Sequence, residues 1–247
     1  MTTIPLNQTR LSVEIWSDIA CPWCYIGKKR FETALAQFPF REQVDVTWRA
    51  FELSPDAPSG PGRPEIDALA EMKGIPRPQV ERMFAQVTAV AAGEGLSYDF
   101  DRTLSFNTFD GHRLVHLAAA TGGSALCDRV LEAIYSAHFE HGEDLGDDET
   151  LVHIVTEAGL DRQAVRAVLA GNDFADAVRR DEAQARTIGV TGVPFFVVDR
   201  RLGVSGAQPA EVFTQLLDEG WKAVNPLVGL AAADPSAGAC VDDSCAL

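Results

Sequence analysis

The pair Cys21 and Cys24, in Cys21-Pro22-Trp23-Cys24, stands where a strand pattern turns into a helix pattern, and that junction limits the possible folds more than any other feature. Leu11 to Ser17 (LSVEIWS) alternates apolar and polar residues, and Tyr25 to Phe38 carries apolar residues at helical spacing. A dithiol with two intervening residues at the opening of a helix can close into a disulfide while its first sulfur stays open to attack. Unpaired backbone N–H groups and the positive end of the helix dipole stabilise a thiolate at Cys21, the expected nucleophile. Cys24, one turn on, is more shielded and placed to resolve the mixed disulfide that Cys21 forms with a partner. Pro22 suits the first helical turn, where its missing N–H costs nothing.

The whole chain reads as strand, helix, strand, helical block, strand, strand, helix. Val44 to Leu53 (VDVTWRAFEL) is the second strand, and it runs into a loop rich in Pro and Gly from Ser54 to Gly62. From about Glu65 to Arg186 the periodicity is helical, with Val80, Met83, Phe84 and Val87 on one face and Leu151, Ile154, Val155 and Ala158 on another. Breaks at Gly74 to Pro78, Gly93 to Gly95, Gly122-Gly123, Gly142 to Asp148, Gly159 and Gly171 cut this block into helices of ordinary length. Strand character returns at Val193 to Asp199 and at Leu202 to Ser205, before an amphipathic helix from about Pro209 to Val224. Beyond Asn225 the Ala, Gly, Asp and Ser content predicts a mobile tail, and that tail carries Cys240 and Cys245.

Composition narrows the function classes. With 36 acidic and 21 basic side chains the formal charge is −15, which argues against a nucleic-acid partner. Met1 to Arg10 lacks the basic stretch and apolar core of a secretory signal, and no run approaches the length of a membrane span, so the expected location is cytoplasmic with no membrane partner. Five cysteines in such a chain suggest thiols with separate roles instead of a disulfide framework. Two readings of the pairs stand at this point. Cys21 and Cys24 form a redox dithiol, or they form half of a zinc site completed by Cys240 and Cys245. Against zinc stand the long separation of the pairs, the four residues between Cys240 and Cys245, and bulky Trp23 inside the first pair.

Ser17-Asp18 ahead of Cys21-Pro22-Trp23-Cys24-Tyr25-Ile26-Gly27, followed much later by Thr191-Gly192-Val193-Pro194-Phe195-Phe196, resembles the DsbA-family oxidoreductases, in particular their cytosolic FrnE-like branch. The resemblance implies an α/β thioredoxin-like fold with a large all-helical insertion: residues 11–55 and 187–225 form a discontinuous thioredoxin-like domain, 64–186 the insertion and 226–247 the tail. It implies a cis peptide bond between Val193 and Pro194, in a loop that faces the cysteines and offers backbone groups to an extended substrate. Pro22, Trp23, Val193 and Pro194 are then the candidate substrate-binding residues. The implied activity is protein disulfide reduction or isomerisation, with protein or peptide disulfides and a cellular thiol reductant as partners. No cofactor beyond the redox-active disulfide and no metal is implied.

Other features are less pointed. Cys240 and Cys245 are a candidate second redox pair exchanging with the first, or two inert thiols. Cys127 reads as a small buried hydrophobe. His112 and His116 share a helix face without a third ligand at suitable spacing, which favours a structural or pocket-lining role over a metal. Asn107-Thr108 and His112-Arg113-Leu114 resemble the part of the family's insertion that faces the redox centre. Glu14 and Asp18 are carboxylates close before the nucleophile; either exchanges protons with Cys24 or is a solvated strand-end charge. Related branches of the fold are glutathione-dependent transferases and small-molecule isomerases, including the hydroxychromene-carboxylate isomerases, whose motif generally has a serine at the nucleophile position and lacks the second cysteine; a zinc-binding or chaperone-like interaction protein is the remaining alternative.

Overall fold

The structure is a computed structural model that describes residues 9–226. Cys240 and Cys245, and almost all of the segment expected to form a tail, lie outside the described residues.

Four strands make the central sheet: β1 (Leu11–Ser17), β2 (Val44–Ala50), β5 (Phe195–Val198) and β6 (Leu202–Ser205), in the order β2-β1-β5-β6. β1 runs parallel to β2, with Leu11 opposite Val44 and Ser17 opposite Ala50, and antiparallel to β5. The two halves of the sheet come from opposite ends of the sequence, and the chain between them is mostly helical. Helix α1 (Pro22–Gln37) links β1 to β2; α2 (Glu65–Lys73), α3 (Arg77–Gly93), α4 (Phe109–Phe139), α5 (Asp148–Glu157), α6 (Arg162–Ala170) and α7 (Ala175–Thr187) follow, and α8 (Ala210–Val224) closes the order. Two short strands pair as well, β3 (Arg63–Pro64) just ahead of the helical stretch and β4 (Leu104–Ser105) inside it.

Alternation along β1 decides what each face of the sheet meets. Leu11, Val13 and Ile15 point into the main core with Phe31 of α1, Phe196 of β5 and Phe213 of α8. The rings of Phe31 and Phe196 lie 5.6 Å apart, those of Phe31 and Phe213 5.9 Å and those of Phe196 and Phe213 4.4 Å. On the other face Trp16 packs with Ala185 of α7, Val190 and Val197, and its indole N–H donates to the Asp181 carbonyl. Both faces are covered, which is why β1 has only one exposed residue, Ser12.

Gly122-Gly123 breaks the helical pattern as the sequence predicts, though the chain does not leave the helix. Gly123 takes φ 66° and ψ −162°, a conformation open to glycine, and kinks the 31-residue α4 into two arms. The first arm carries His112, Arg113 and His116, and the second carries Tyr135, His138 and Phe139. Arg113 spends its guanidinium on the carbonyls of Val168, Gly171 and Asp173 at the end of α6, which ties the first arm to the rest of the helical block.

Candidate active site

Cys21 is the N-cap of α1, with φ −96° and ψ 110°, and Pro22 occupies the first helical turn. The first-turn N–H groups that no helical carbonyl reaches converge on this position. Both cysteines are buried, Cys24 completely and Cys21 at 5% exposure, and of the two only Cys21 lines the cleft beside the dithiol. Both are free thiols. Burial pushes the Cys24 thiol well above its ordinary pKa, and the neighbouring Cys21 adds to the effect. Against it work the Asp18 backbone N–H, 3.5 Å from the Cys24 sulfur, and the Ser17 hydroxyl.

The Val193–Pro194 peptide bond is cis, and the Cys21 thiol donates to the Val193 carbonyl at 3.7 Å. Pro194 stands against α1 at Gly27, where a Cβ would lie 3.0 Å from the proline Cγ and 3.4 Å from the Phe196 ring. A side chain at this position would press on the proline ring, and loop or helix would have to give for it. Tyr98, in the loop after α3, donates to the Pro22 carbonyl at 2.7 Å. Its phenol is pushed up by burial and so remains a donor. Nothing in the sequence around Tyr98 signals this contact, because it closes across 76 residues.

A cleft of about 900 Å³ opens beside the dithiol, large enough to hold a segment of a substrate. Cys21, Pro22 and Trp23 form its inner edge; Pro55, Pro58 and Pro61 of the loop after β2 form one side; Met72, Met83, Phe84 and Phe106 supply apolar wall. Trp23 is 39% exposed, an unusual state for an indole. Val193 and Pro194 are not part of this lining; they meet Cys21 through the loop alone. The four candidate substrate residues therefore divide into two surfaces that share Cys21.

Glu65, at the start of α2, also lines the cleft, and burial pushes its carboxyl up to about 7, with Asp18 adding repulsion. A carboxyl whose folded-state pKa lies above its unfolded value binds protons more tightly when folded, so stability falls as pH rises from about 4.5 to 7. Glu65→Gln is expected to be more stable than wild type at pH 8 by about 1–3 kcal/mol, and equally stable at pH 4. Urea unfolding at the two pH values checks it; equal stability of the two proteins at pH 8 would show Glu65 to be well solvated.

The two carboxylates that precede the dithiol separate. Burial works to raise Glu14, but hydrogen bonds and charges from Arg200 and Arg49 hold it below the usual carboxylate range, committing it as an anion in an ion pair. Asp18 instead turns toward the site. It is 1% exposed, accepts from the Leu53 N–H at 2.7 Å and the Ala20 N–H at 3.4 Å, and lies 3.3 Å from His112 Nε2. His116 pairs with Asp181 of α7 at 2.9 Å, so the two histidines that share a helix face take separate carboxylates. Asn107 donates to the carbonyls of Pro55 and Ala57 and pins the cleft loop, while Thr108 lines the cleft. Cys127 is buried away in the core, its thiol raised to about 12 by burial. Among the described residues no cluster of three or more His, Cys, Asp or Glu is arranged to hold a metal, and no helix is long and apolar enough to cross a membrane.

Known proteins resemble this chain over most of its length. The crystal structure of a probable DsbA oxidoreductase from Streptomyces coelicolor is 46% identical, covers 96% of this chain and 99% of its own, and superposes with a TM-score of 0.82. The YwbO protein of Bacillus subtilis is 26% identical over 217 residues, 84% of this chain and 96% of YwbO. The cytosolic disulfide reductase DsbM of Pseudomonas aeruginosa, solved with GSH, shares the fold at 17% identity and a TM-score of 0.60, covering 84% of this chain and 98% of its own. The family description that matches residues 12–218 spans β1, the dithiol, the helical insertion and the proline loop in one alignment, and the chain belongs to the DSBA-like thioredoxin domain family.

Proposed function

We propose that the protein is a protein disulfide reductase or isomerase that works through Cys21 and Cys24, within the oxidoreductase chemistry of its family. The observation that carries the reading is the unequal placement of the two sulfurs: Cys21 caps the helix at the edge of the cleft, and Cys24 is sealed beneath it. A substrate disulfide is attacked by the Cys21 thiolate; the Cys21–substrate bond forms and one substrate sulfur leaves as a thiolate. Cys24 then attacks Cys21, releasing the second substrate sulfur and closing the Cys21–Cys24 disulfide. A cellular thiol restores the dithiol, and no bound cofactor is needed. The apolar cleft and the backbone groups of the Val193–Pro194 loop suit an extended peptide more than a compact metabolite. In a reducing cytoplasm the pair is held as thiols, which favours reduction and isomerisation over net oxidation.

Insulin reduction tests the reading, comparing wild type, Cys21→Ser and a form ending at Pro226, with zinc measured on the same samples. Turnover by wild type and by the shortened form, without stoichiometric zinc, supports a self-sufficient dithiol. Full activity in Cys21→Ser would overturn it, and loss on shortening would move the essential dithiol to Cys240 and Cys245.

A further inference from the structure

A thiolate at Cys21 loses the partner that its thiol has. The S–H donates to the Val193 carbonyl at 3.7 Å, and once the proton is gone that oxygen faces a negative sulfur. Stabilisation then has to come from N–H groups. A side chain at an N-cap is reached by the N–H of the second or third helical residue. The third is Cys24, whose N–H goes to the Cys21 carbonyl at 2.9 Å, and the first, Pro22, has no N–H to give. That leaves Trp23, whose N–H belongs to the peptide group that begins at the Pro22 carbonyl. The Tyr98 hydroxyl donates to this same carbonyl at 2.7 Å. A carbonyl has two lone pairs, so the phenol adds to the helical bond there instead of replacing it. One peptide group thus carries a donor on its oxygen and, at its other end, the N–H that an N-cap sulfur takes. Tyr98 is fixed in that position. It is 7% exposed; its ring stacks on Phe139 at 4.9 Å and on Tyr25 at 6.2 Å, and meets Phe100 edge-on at 5.7 Å. Both of its neighbours in sequence are tied to the end of α4: the Ser97 N–H donates to the Glu140 carboxylate at 2.9 Å and the Asp99 N–H to the Phe139 carbonyl at 2.7 Å. The helical insertion therefore holds a phenol on the redox centre.

We propose that Tyr98 is a positioning residue of the dithiol: its phenol on the Pro22 carbonyl polarises the Pro22–Trp23 peptide group and strengthens the hydrogen bond that the Trp23 N–H gives the Cys21 thiolate. The inference rests on the dithiol reading of the site. Tyr98 acts through the peptide group and takes no part in the exchange of bonds between sulfurs. Hydrogen bonds joined in this way strengthen one another by about 10–30%, which for a bond to a charged acceptor amounts to about twofold to fourfold in an equilibrium constant. The effect has a sign. A thiolate exists only in the reduced enzyme, so whatever stabilises it favours the dithiol over the disulfide. Tyr98 thereby eases recharging of the enzyme by a cellular thiol and lessens its driving force on a substrate disulfide. The other titratable groups near the sulfur, Cys24 of α1 with Asp18 and Glu65 in the cleft, keep their places when only the phenol oxygen is removed.

Tyr98→Phe keeps the ring and removes the donor. Thiolate absorbance in the ultraviolet, taken as the difference between each protein and the same protein with Cys21→Ser, is followed against pH; dissociation of the Cys21 proton is expected to weaken about threefold in Tyr98→Phe. At a pH where the wild-type thiolate is formed, each protein is then equilibrated with glutathione and the Cys21–Cys24 disulfide is mapped by mass. Two glutathione thiols pass two electrons and two protons to that disulfide and leave as one glutathione disulfide. The constant for this reduction is expected to fall about threefold in Tyr98→Phe. Urea unfolding of the oxidised and reduced proteins separates the role from packing, because thiolate stabilisation acts on the reduced form alone. Reduced Tyr98→Phe is expected to lose more stability than oxidised Tyr98→Phe, by the factor seen with glutathione. Equal losses in the two forms with an unchanged glutathione constant would overturn the proposal and leave Tyr98 a packing residue. A constant that rises would overturn it as well. Wild type forming no Cys21–Cys24 disulfide in any glutathione buffer would bring down the dithiol reading together with this inference, whereas an unchanged constant in Tyr98→Phe leaves that reading standing.

Discussion

Cys21→Ser is expected to lower disulfide reduction by about three orders of magnitude or more, since removal of a nucleophile leaves only the binding and orienting parts of a site. Serine keeps the size of the side chain at an N-cap whose side chain makes no capping hydrogen bond, so helix α1 stays in place and the loss belongs to the sulfur. The partner variant behaves differently. Cys24→Ser retains the nucleophile at the cleft edge without its resolver, so it attacks once and stops, accumulating a covalent adduct with the substrate. Insulin turnover and mass analysis of the quenched reaction check both results. An adduct that forms on Cys21→Ser, or none on Cys24→Ser, would reverse the two roles.

Phe213→Ala carries the second large effect, on stability. Phe213 is fully buried in α8, edge-on to Phe31 and 4.4 Å from Phe196, at the point where helices from both ends of the chain meet one face of the sheet. Truncating an aromatic ring in such a place removes its transfer energy and leaves a void that neighbours fill only in part. The expected cost is about 3–5 kcal/mol, read from denaturant unfolding with the slope unchanged. A cost under about 1 kcal/mol would mean that α8 closes onto the sheet without strain.

The strands that the sequence resolves best are those with sharp ends. β1 and β6 match the sequence reading to the residue, since Leu11, Val13 and Ile15 alternate against polar or opposite-face positions and Leu202 to Ser205 is bounded by turns. The second strand reads too long, to Leu53, because apolar Phe51 and Leu53 prolong the pattern. The ladder continues only through the Phe51 N–H to the Ser17 carbonyl, after which the Leu53 N–H turns to the Asp18 side chain. A side chain takes over from a strand there, and alternation carries no mark of it. Val193 and Pro194 likewise read as strand and instead form the loop that precedes β5. The dithiol was legible because its chemistry is local, four residues at one junction. The groups around it were not. Asp18 finds Leu53 35 residues away and His112 94 residues away, and the Glu14 carboxylate that shares its proximity to the nucleophile is claimed by Arg200 from the far end of the chain. Partnerships over such separations leave no periodicity or spacing to read.

Gly27 turns a packing detail into a working dimension. The Cys21 sulfur and the Val193 carbonyl are held 3.7 Å apart, and the loop that carries the carbonyl is seated more than one helical turn below, where Pro194 rests against bare backbone. A methyl group at that point would act as a shim, tilting the loop off the helix and widening the opening without touching either cysteine. The distance between sulfur and loop is thus calibrated by an atom the chain leaves out, at a position that touches neither.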